Sequence, residues 1–479
     1  MTASAKAMTF RRLTKRALSI GVIKVSDMAS QFLLPVVLVR CLDAATFGEY
    51  RLLWLLVGTV LGLATLNMAS GLPVFLPPAE APRKRLYVHQ TLLFLALSGL
   101  LFAALASPWN PWMPAAMARL QTHGALVPAF VGLWIVASML DSLPTTEERI
   151  RWQACATVGA SLLRTVLVGV GAWASGDITV IFWLLLAVVL IKLTLLAAYV
   201  RRHHGFGAPW FERRAFADQF RHLAPFGLAS ALYTLRAQAD QWIAATLFAL
   251  HSFAAFSVAA VLSPLVLIFR RSVLEAFVPK MSRLAAAGDV RGMLELNSRG
   301  NVLVGAVLYP ALAFMFAFAE DLVTLVYTAT YLEAAPVMRV YIAGVAIMVV
   351  ELSSVLLLLR QGSFAIGVNA LALVVSAAAS LALASGVGLA GAAGGSVLAI
   401  AVDRLISLRR ISHHVGVPVR KLQDWRGIGM ALGYALASAA LIRLVVDLAV
   451  PDGAFHRLAL GACGLALAYV PIIHRWRKS

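Results

Sequence analysis

Charge is what this sequence has least of. Only 13% of its 479 residues are Asp, Glu, Lys or Arg, while 61% are hydrophobic; that balance belongs to an integral membrane protein and excludes a soluble domain with a large core. Acidic residues are the scarcer kind, 22 against 41 Lys and Arg, for a net charge of +19. A nucleic-acid binder would gather such cations into a patch or stripe on a soluble surface. Here they stand in short runs between apolar segments, the positive-inside pattern of a membrane protein, so nucleic acid is set aside as a partner. Cysteine is nearly missing: Cys41, Cys155 and Cys463 have no motif spacing, which excludes a disulfide framework and a Cys-type metal site. His203-His204 and His413-His414 bring no further ligands. Gly386-Val-Gly388-Leu-Ala-Gly391 matches GxGxxG without a surrounding βαβ unit, and reads as a tight turn entering a helix, followed by small residues up to Ser396 that allow close helix packing. No nucleophile, base and oxyanion arrangement is legible. The expectation is a protein without catalytic residues, cofactor or metal.

What is present is a succession of apolar runs. About fourteen are long enough to cross a bilayer as helices, from Leu18–Val39 to Leu458–Ile473. The first run contains Lys24 and Asp27 and no small-residue cleavage site, so it reads as a retained helix. With the N-terminus in the cytoplasm, alternation puts Arg83-Lys84-Arg85, Arg201-Arg202, Arg213-Arg214, Arg409-Arg410 and Arg420-Lys421 on the cytoplasmic side, which fixes the orientation with both termini inside. A short helix is expected within the Asp321–Ala335 connection. The predicted fold is an all-α polytopic membrane protein in three parts: a six-helix bundle over 1–205, a second over 206–415, and a further helix pair with a basic tail over 416–479. A displacement of about 210 residues lays Ala29, Gln31 and Phe32 on Ala239, Gln241 and Trp242, and Ala44-Ala45 on Ala254-Ala255. The two bundles therefore read as a parallel repeat, a common transporter construction with the substrate site at the repeat interface.

The stretch Leu223–Arg283, two apolar halves about a His251-Ser252 break, places Arg236, Asp240, Arg270 and Arg271 inside membrane segments. An ionisable group at the bilayer centre costs roughly 2.5–3.5 kcal/mol, so such residues face protein or a wet cavity. Lys24, Asp27 and Gln31 share one helical face, as do Tyr233, Arg236 and Asp240. Two readings stand for these stripes: a pathway for something negative, or self-neutralising Lys24–Asp27 and Arg236–Asp240 pairs that pin helices. Arg271 has Glu275 one turn on, which leaves Arg270 the freer cation; lining a cavity and snorkelling to headgroups both fit it. Arg164 has no carboxylate one turn away and requires a partner in another helix or an anionic ligand. Glu351 is likewise isolated, as a proton site or the partner of such an arginine. Asp403-Arg404 and Arg443–Asp447 read as structural. Pro35 and Pro264 kink the helix pairs that lead each half.

Gln31–Tyr50, with QFLLPVVLVRCLDAATFGEY, resembles the opening of polysaccharide and lipopolysaccharide flippases of the multidrug/oligosaccharidyl-lipid/polysaccharide exporter superfamily. So do the second-half run with its buried Asp240, Pro279-Lys-Met-Ser-Arg-Leu with Gly288-Asp289 after it, and Gly388-Leu-Ala-Gly391-Ala-Ala393 near the end. The resemblance covers nearly the whole chain. It implies two six-helix bundles forming a V-shaped cleft, an extra helix pair, and a lipid-diphosphate-linked glycan as substrate, moved by alternating access across the bacterial inner membrane. Membrane lipids and other polysaccharide-assembly proteins are the remaining partners it implies. Lys24, Arg164, Arg236 and Arg270 are then the candidates for holding the diphosphate, and Asp27, Asp240 and Glu351 for charge balance or protonation. Two alternatives remain: a cation-coupled drug exporter of the same superfamily, disfavoured by the surplus of buried arginine, and a membrane glycan polymerase or ligase, for which the outer loops are too short to carry catalytic residues.

Overall fold

Caps and apolar faces decide where the helices of this chain begin and end. The computed structural model describes residue 30 and residues 32–111, 115–207, 209–260, 270, 277–449 and 453–476. Lys24, Asp27, Gln31, Pro264, Arg271 and Glu275 lie outside the described residues, as does the retained first helix up to residue 29. Among the described residues every regular element is helical.

The described residues pack as two compact units, the first ending at Leu235 and the second beginning at Arg236. The first holds α1 (Phe32–Cys41), α2 (Ala44–Ala64), α3 (Ala81–Leu105), α4 (Leu126–Ala137), α5 (Ile150–Ser175), α6 (Ile178–His203) and most of α7 (Arg213–Leu247). The second holds the end of α7, α8 (Leu250–Ala260), α9 (Val290–Ala317), α10 (Ala319–Tyr327), α11 (Ala334–Met348), α12 (Gly362–Val387), α13 (Leu389–Val415), α14 (Trp425–Ala449) and α15 (Ala454–Trp476). Ten helices among the described residues are long and apolar enough to cross a membrane, and three shorter apolar helices accompany them.

Hydropathy locates the apolar part of a helix; capping locates its end. The apolar run in this part of the sequence covers Leu52–Leu72, yet α2 starts at Ala44 because the Asp43 carboxylate accepts from the amides of Ala45 and Thr46 at 3.2 and 3.3 Å. It stops at Ala64 because Leu66 and Asn67 turn left-handed, at φ 39° and 62°. Likewise α9 begins at Val290, where Asp289 accepts from the Gly292 amide at 2.8 Å, well before the apolar stretch. The break expected at His251-Ser252 falls instead at Phe248-Ala249: Phe253 already donates to the Ala249 carbonyl at 2.9 Å, so those two polar residues sit in the first turn of α8. The short helix expected in the Asp321–Ala335 connection is present as α10.

Within the first unit α4 packs against α3 and α6, and α5 against α6. The α3–α4 contact is backbone on backbone: a Cβ on Gly99 would lie 2.6 Å from the Gly132 carbonyl oxygen, and one on Gly132 would lie 2.8 Å from that of Gly99. Neither position accepts a larger residue without spreading the pair. Leu97, Leu100 and Leu101 on the same α3 are exposed, as on a face turned to lipid.

In the second unit α12 and α13 lie closely side by side. Gly388, at φ 75°, makes the turn between them, and Ser380 donates to the Ala392 carbonyl at 2.7 Å across the small-residue face. The tight turn expected from the Gly386–Gly391 motif is thus what the structure contains. α14 packs along α9, and α15 packs on α14 and α10. The buried Asp321 carboxylate at the start of α10 fastens this pair, bonded by Arg443 of α14 and by Arg457 of α15 at 2.7 Å. Arg443 also pairs with Asp447 at 2.9 Å, which fits its structural reading.

Candidate functional site

The first unit encloses a cavity of about 1000 Å³. Helical spacing builds its walls. Gln153, Thr157, Ser161 and Arg164 follow one another at three- and four-residue intervals on α5 and so line one face. Tyr50, Arg51 and Trp54 come from α2, Val188 and Lys192 from α6, and Asp141 from the 3₁₀ turn Ser138–Asp141 after α4. Leu34 and Pro35 of α1 also border it.

Arg164 is the arginine of α5 that lines this cavity; Arg404 of α13 is as deeply buried and also has an unpartnered Nε, but does not border it. Arg164 is only 9% exposed, and its Nε is buried without a hydrogen-bond partner. Among the described residues it forms no ion pair; its guanidinium carbon stands 5.2 Å from the centre of the Trp54 ring. A buried charge without a counter-ion is costly, by several kcal/mol, and the ring quadrupole offsets on the order of 2 kcal/mol of that when desolvated. The arrangement leaves a cation with hydrogen-bonding capacity facing an open cavity. Lys192, 8% exposed at its side chain, is the second buried cation here: its Nζ donates to both Asp141 carboxylate oxygens at 3.1 Å and lies 4.7 Å over the Trp134 ring. Trp54 and Trp134 meet edge to face at 5.2 Å, so the two cations cap the two ends of one aromatic pair. Neither Lys192 nor Asp141 was singled out from the sequence, although a lysine inside the apolar Ile178–His203 run is the very signal used for Arg164.

The second unit treats its charges differently. Arg236 donates to Asn369 of α12 at 2.8 Å and to Asp403 of α13 at 2.9 Å. The Arg236–Asp240 pair weighed from the sequence is not formed, because each side chain finds a nearer partner on another helix. Asp240 is 2% exposed; its carboxylate accepts from Tyr341 at 2.8 Å, from Ser396 at 2.6 Å and from the Gln241 amide at 2.8 Å, and no cation contacts it among the described residues. Arg270 is not the freer cation: it pairs with Glu351 at 2.9 Å and donates to the Met348 carbonyl.

Glu351 is correspondingly not isolated, nor does it sit in a continuous helix as the span Val337–Leu359 implied. α11 ends at Met348 and helix resumes only at Ser353. Asn301 and Asn297 of α9 occupy the gap: the Glu351 amide donates to Asn301 Oδ1 at 3.1 Å, and Asn297 Nδ2 donates to the Glu351 carbonyl at 3.0 Å. Backbone groups freed by a helix break in a membrane need such partners. Of the sequence candidates, then, Arg164 lines the cavity, Arg236, Arg270, Asp240 and Glu351 are hydrogen-bonded within the second unit, and Lys24 and Asp27 lie outside the described residues.

Ten membrane-length helices among the described residues, with a polar, cation-lined cavity in the first unit, define a polytopic α-helical membrane protein. The chain belongs to the polysaccharide biosynthesis protein family, whose model matches residues 37–336. No curated protein sequence matches it significantly. Its fold is similar to that of the lipid II flippase MurJ in an inward closed conformation, with a TM-score of 0.69 over 97% of this chain and 100% of that one at 12% identity. An inward-facing multidrug resistance MATE family transporter of the MOP superfamily follows with a TM-score of 0.59 at 15% identity, over 82% of this chain and 94% of that one. A MOP superfamily transporter from Pyrococcus furiosus, described as having a binding pocket of reverse polarity, gives 0.54 at 13% identity, over 83% and 96%. At these identities the likeness defines the fold, the MurJ/MATE arrangement of helices.

Proposed function

We propose that this protein is a flippase for a polyprenyl-diphosphate-linked oligosaccharide, carrying an O-antigen, capsule or exopolysaccharide unit across the bacterial inner membrane by alternating access. It does no chemistry on its cargo, and both of its termini lie in the cytoplasm. The observation that carries the reading is Arg164: a buried guanidinium, without an ionic partner among the described residues, lining a cavity in the first unit. Family membership supplies the polysaccharide context, and lipid II is the cargo in the name of MurJ, which shares the fold.

A diphosphate headgroup carries roughly two negative charges, by analogy with phosphate groups generally. Moving one charge across the membrane is worth about 2.3 kcal/mol per 100 mV. Outward movement of two negative charges in an inside-negative cell is therefore downhill by about 5 kcal/mol at 100 mV. The obstacle is stripping water from the headgroup in mid-membrane, and a cavity offering Arg164 replaces that hydration with guanidinium hydrogen bonds. The same feature argues against the drug-exporter reading: an unpaired buried cation repels a cationic drug. The test is headgroup accessibility of a lipid-linked oligosaccharide in proteoliposomes. Wild type should expose internal headgroups, faster with an inside-negative potential, and Arg164→Gln should reduce the rate at least tenfold. Equal rates in the two proteins would remove Arg164 from the pathway.

A further inference from the structure

Lys192 is held in a way that Arg164 is not. Both its bonds go to one carboxylate, Asp141, at 3.1 Å each. The lysine is almost entirely buried, whereas the Asp141 side chain is 48% exposed and borders the same cavity. Asp141 stands between buried neighbours, Leu140 and Leu143, with its own side chain turned outward. It ends a 3₁₀ turn between α4 and the short helix Leu143–Thr146, and its carbonyl accepts from Gln153 Nε2 at 3.2 Å. Its carboxylate thus stands over the ammonium from the cavity side, where its half-exposed side chain can turn toward the open space without moving the backbone.

We infer that Asp141 is an internal competitor for the transported anion: it occupies Lys192 while the cavity is empty and yields that ammonium to a phosphate oxygen when the diphosphate arrives. This rests on the flippase reading above and adds a second cation to it. The physical case is one of alternation. A transporter must pass through its cycle empty as well as loaded, and an uncompensated ammonium in a membrane cavity is costly in the empty state. A resident carboxylate removes that cost and also weakens net binding of the incoming anion, because one ion pair is broken for each made. Arg164, over Trp54 and without a carboxylate partner among the described residues, then serves as the permanent half of the site, and Lys192 as the conditional half. A Lys192–Asp141 pair of purely structural purpose would keep its carboxylate buried with the lysine instead of half exposed on the cavity wall.

The experiment uses the purified full chain in lipid nanodiscs with geranyl diphosphate as the probe, read by calorimetry, together with flipping rates in proteoliposomes. Asp141→Asn and Asp141→Ser should each bind the diphosphate about tenfold more tightly than wild type, within the usual range of coupling between two ligands of one site. Lys192→Met should bind more weakly. Asp141→Asn in the Lys192→Met background should give a much smaller gain, since the ammonium it frees is gone and only the repulsion between the carboxylate and the diphosphate is relieved. In transport, Asp141→Asn should lower both the half-saturating concentration and the maximal rate, as release and the empty return slow. Unchanged or weaker binding in both Asp141 variants, or an equal gain without Lys192, overturns the competitor role while leaving the flippase reading standing, provided that Arg164→Gln abolishes wild-type binding. Absence of diphosphate binding in wild type and in every variant overturns both.

Discussion

The two units treat their candidate arginines differently. In the first, a cation, Arg164, has no carboxylate partner among the described residues. In the second, Arg236 and Arg270 are each neutralised by a carboxylate on another segment, Asp403 and Glu351; two further buried groups have no ion pair among the described residues, Arg404 and the acid Asp240, which is held by two hydroxyls and an amide. Breaking a buried pair is strongly destabilising, whereas removing an unpaired buried charge is not. On the proposed reading, the difference separates two arginines kept for packing, Arg236 and Arg270, from one kept for a ligand, Arg164. It moves the proposed diphosphate site from a set of four cations to the first-unit cavity, with Arg164 at its centre.

The largest expected effect lies in the second unit. Asp403→Asn leaves the mostly buried Arg236 guanidinium without its carboxylate and should lower stability by about 3–5 kcal/mol, read as a fall in melting temperature of the detergent-purified protein. Asp403→Leu with Arg236→Met should regain much of that loss. Retention of the wild-type melting temperature in Asp403→Asn would mean that the Arg236 pair is not structural. The next is its mirror image. Arg164→Gln removes no ion pair among the described residues and should leave the melting temperature unchanged or raised, while reducing diphosphate affinity by at least tenfold in a titration.

A smaller effect is expected at Asp240. Its replacement by Asn keeps a group that accepts hydrogen bonds from Tyr341 and Ser396, so the stability loss should be about 1 kcal/mol, and diphosphate affinity should be unaltered. A change in affinity there would erase the contrast between the units. The smallest effect concerns Glu147, just beyond the α4 segment and outside both charge clusters. Burial raises its carboxyl, but the His204 imidazole at 3.1 Å and the Tyr199 hydroxyl facing it win, and hold it below its ordinary value. A carboxyl depressed in the folded state contributes stability above its unfolded pKa, about 4.3, and loses it as the pH falls through the lower folded value. The melting temperature of wild type should therefore fall more steeply below about pH 4 than that of Glu147→Gln.

Much of the fold was legible in the sequence because lipid leaves the backbone so few options: a long apolar run must be a helix. The all-α class, the turn at Gly388 and the helix in the Asp321–Ala335 connection all followed from that rule and from glycine placement. Helix starts did not, because Asp43 and Asp289 extend α2 and α9 into polar residues that hydropathy scores as loop. The break at Glu351 was invisible for a different reason: Asn297 and Asn301, which satisfy its freed backbone, lie about fifty residues earlier in the chain, beyond any local pattern.

The charges show the same limit. One-turn spacing made Arg236–Asp240 a candidate pair, but intrahelical proximity is weaker than a bidentate or hydroxyl-rich partner on a neighbouring helix. That Arg164 required a partner or a ligand was readable from its isolation in an apolar helix. Its place beside Trp54 and Lys192 was not, since α2, α5 and α6 come together only in the folded chain.

The most direct test is the thermal shift produced by geranyl diphosphate in two single variants, Arg164→Gln and Arg236→Gln, beside wild type. A ligand that binds the folded state raises the melting temperature in proportion to its affinity. The account expects a double dissociation. Arg236→Gln should melt well below wild type yet keep the ligand-induced rise, and Arg164→Gln should melt like wild type and show no rise. A rise preserved in Arg164→Gln and lost in Arg236→Gln would contradict it, and would place the anion in the second unit instead.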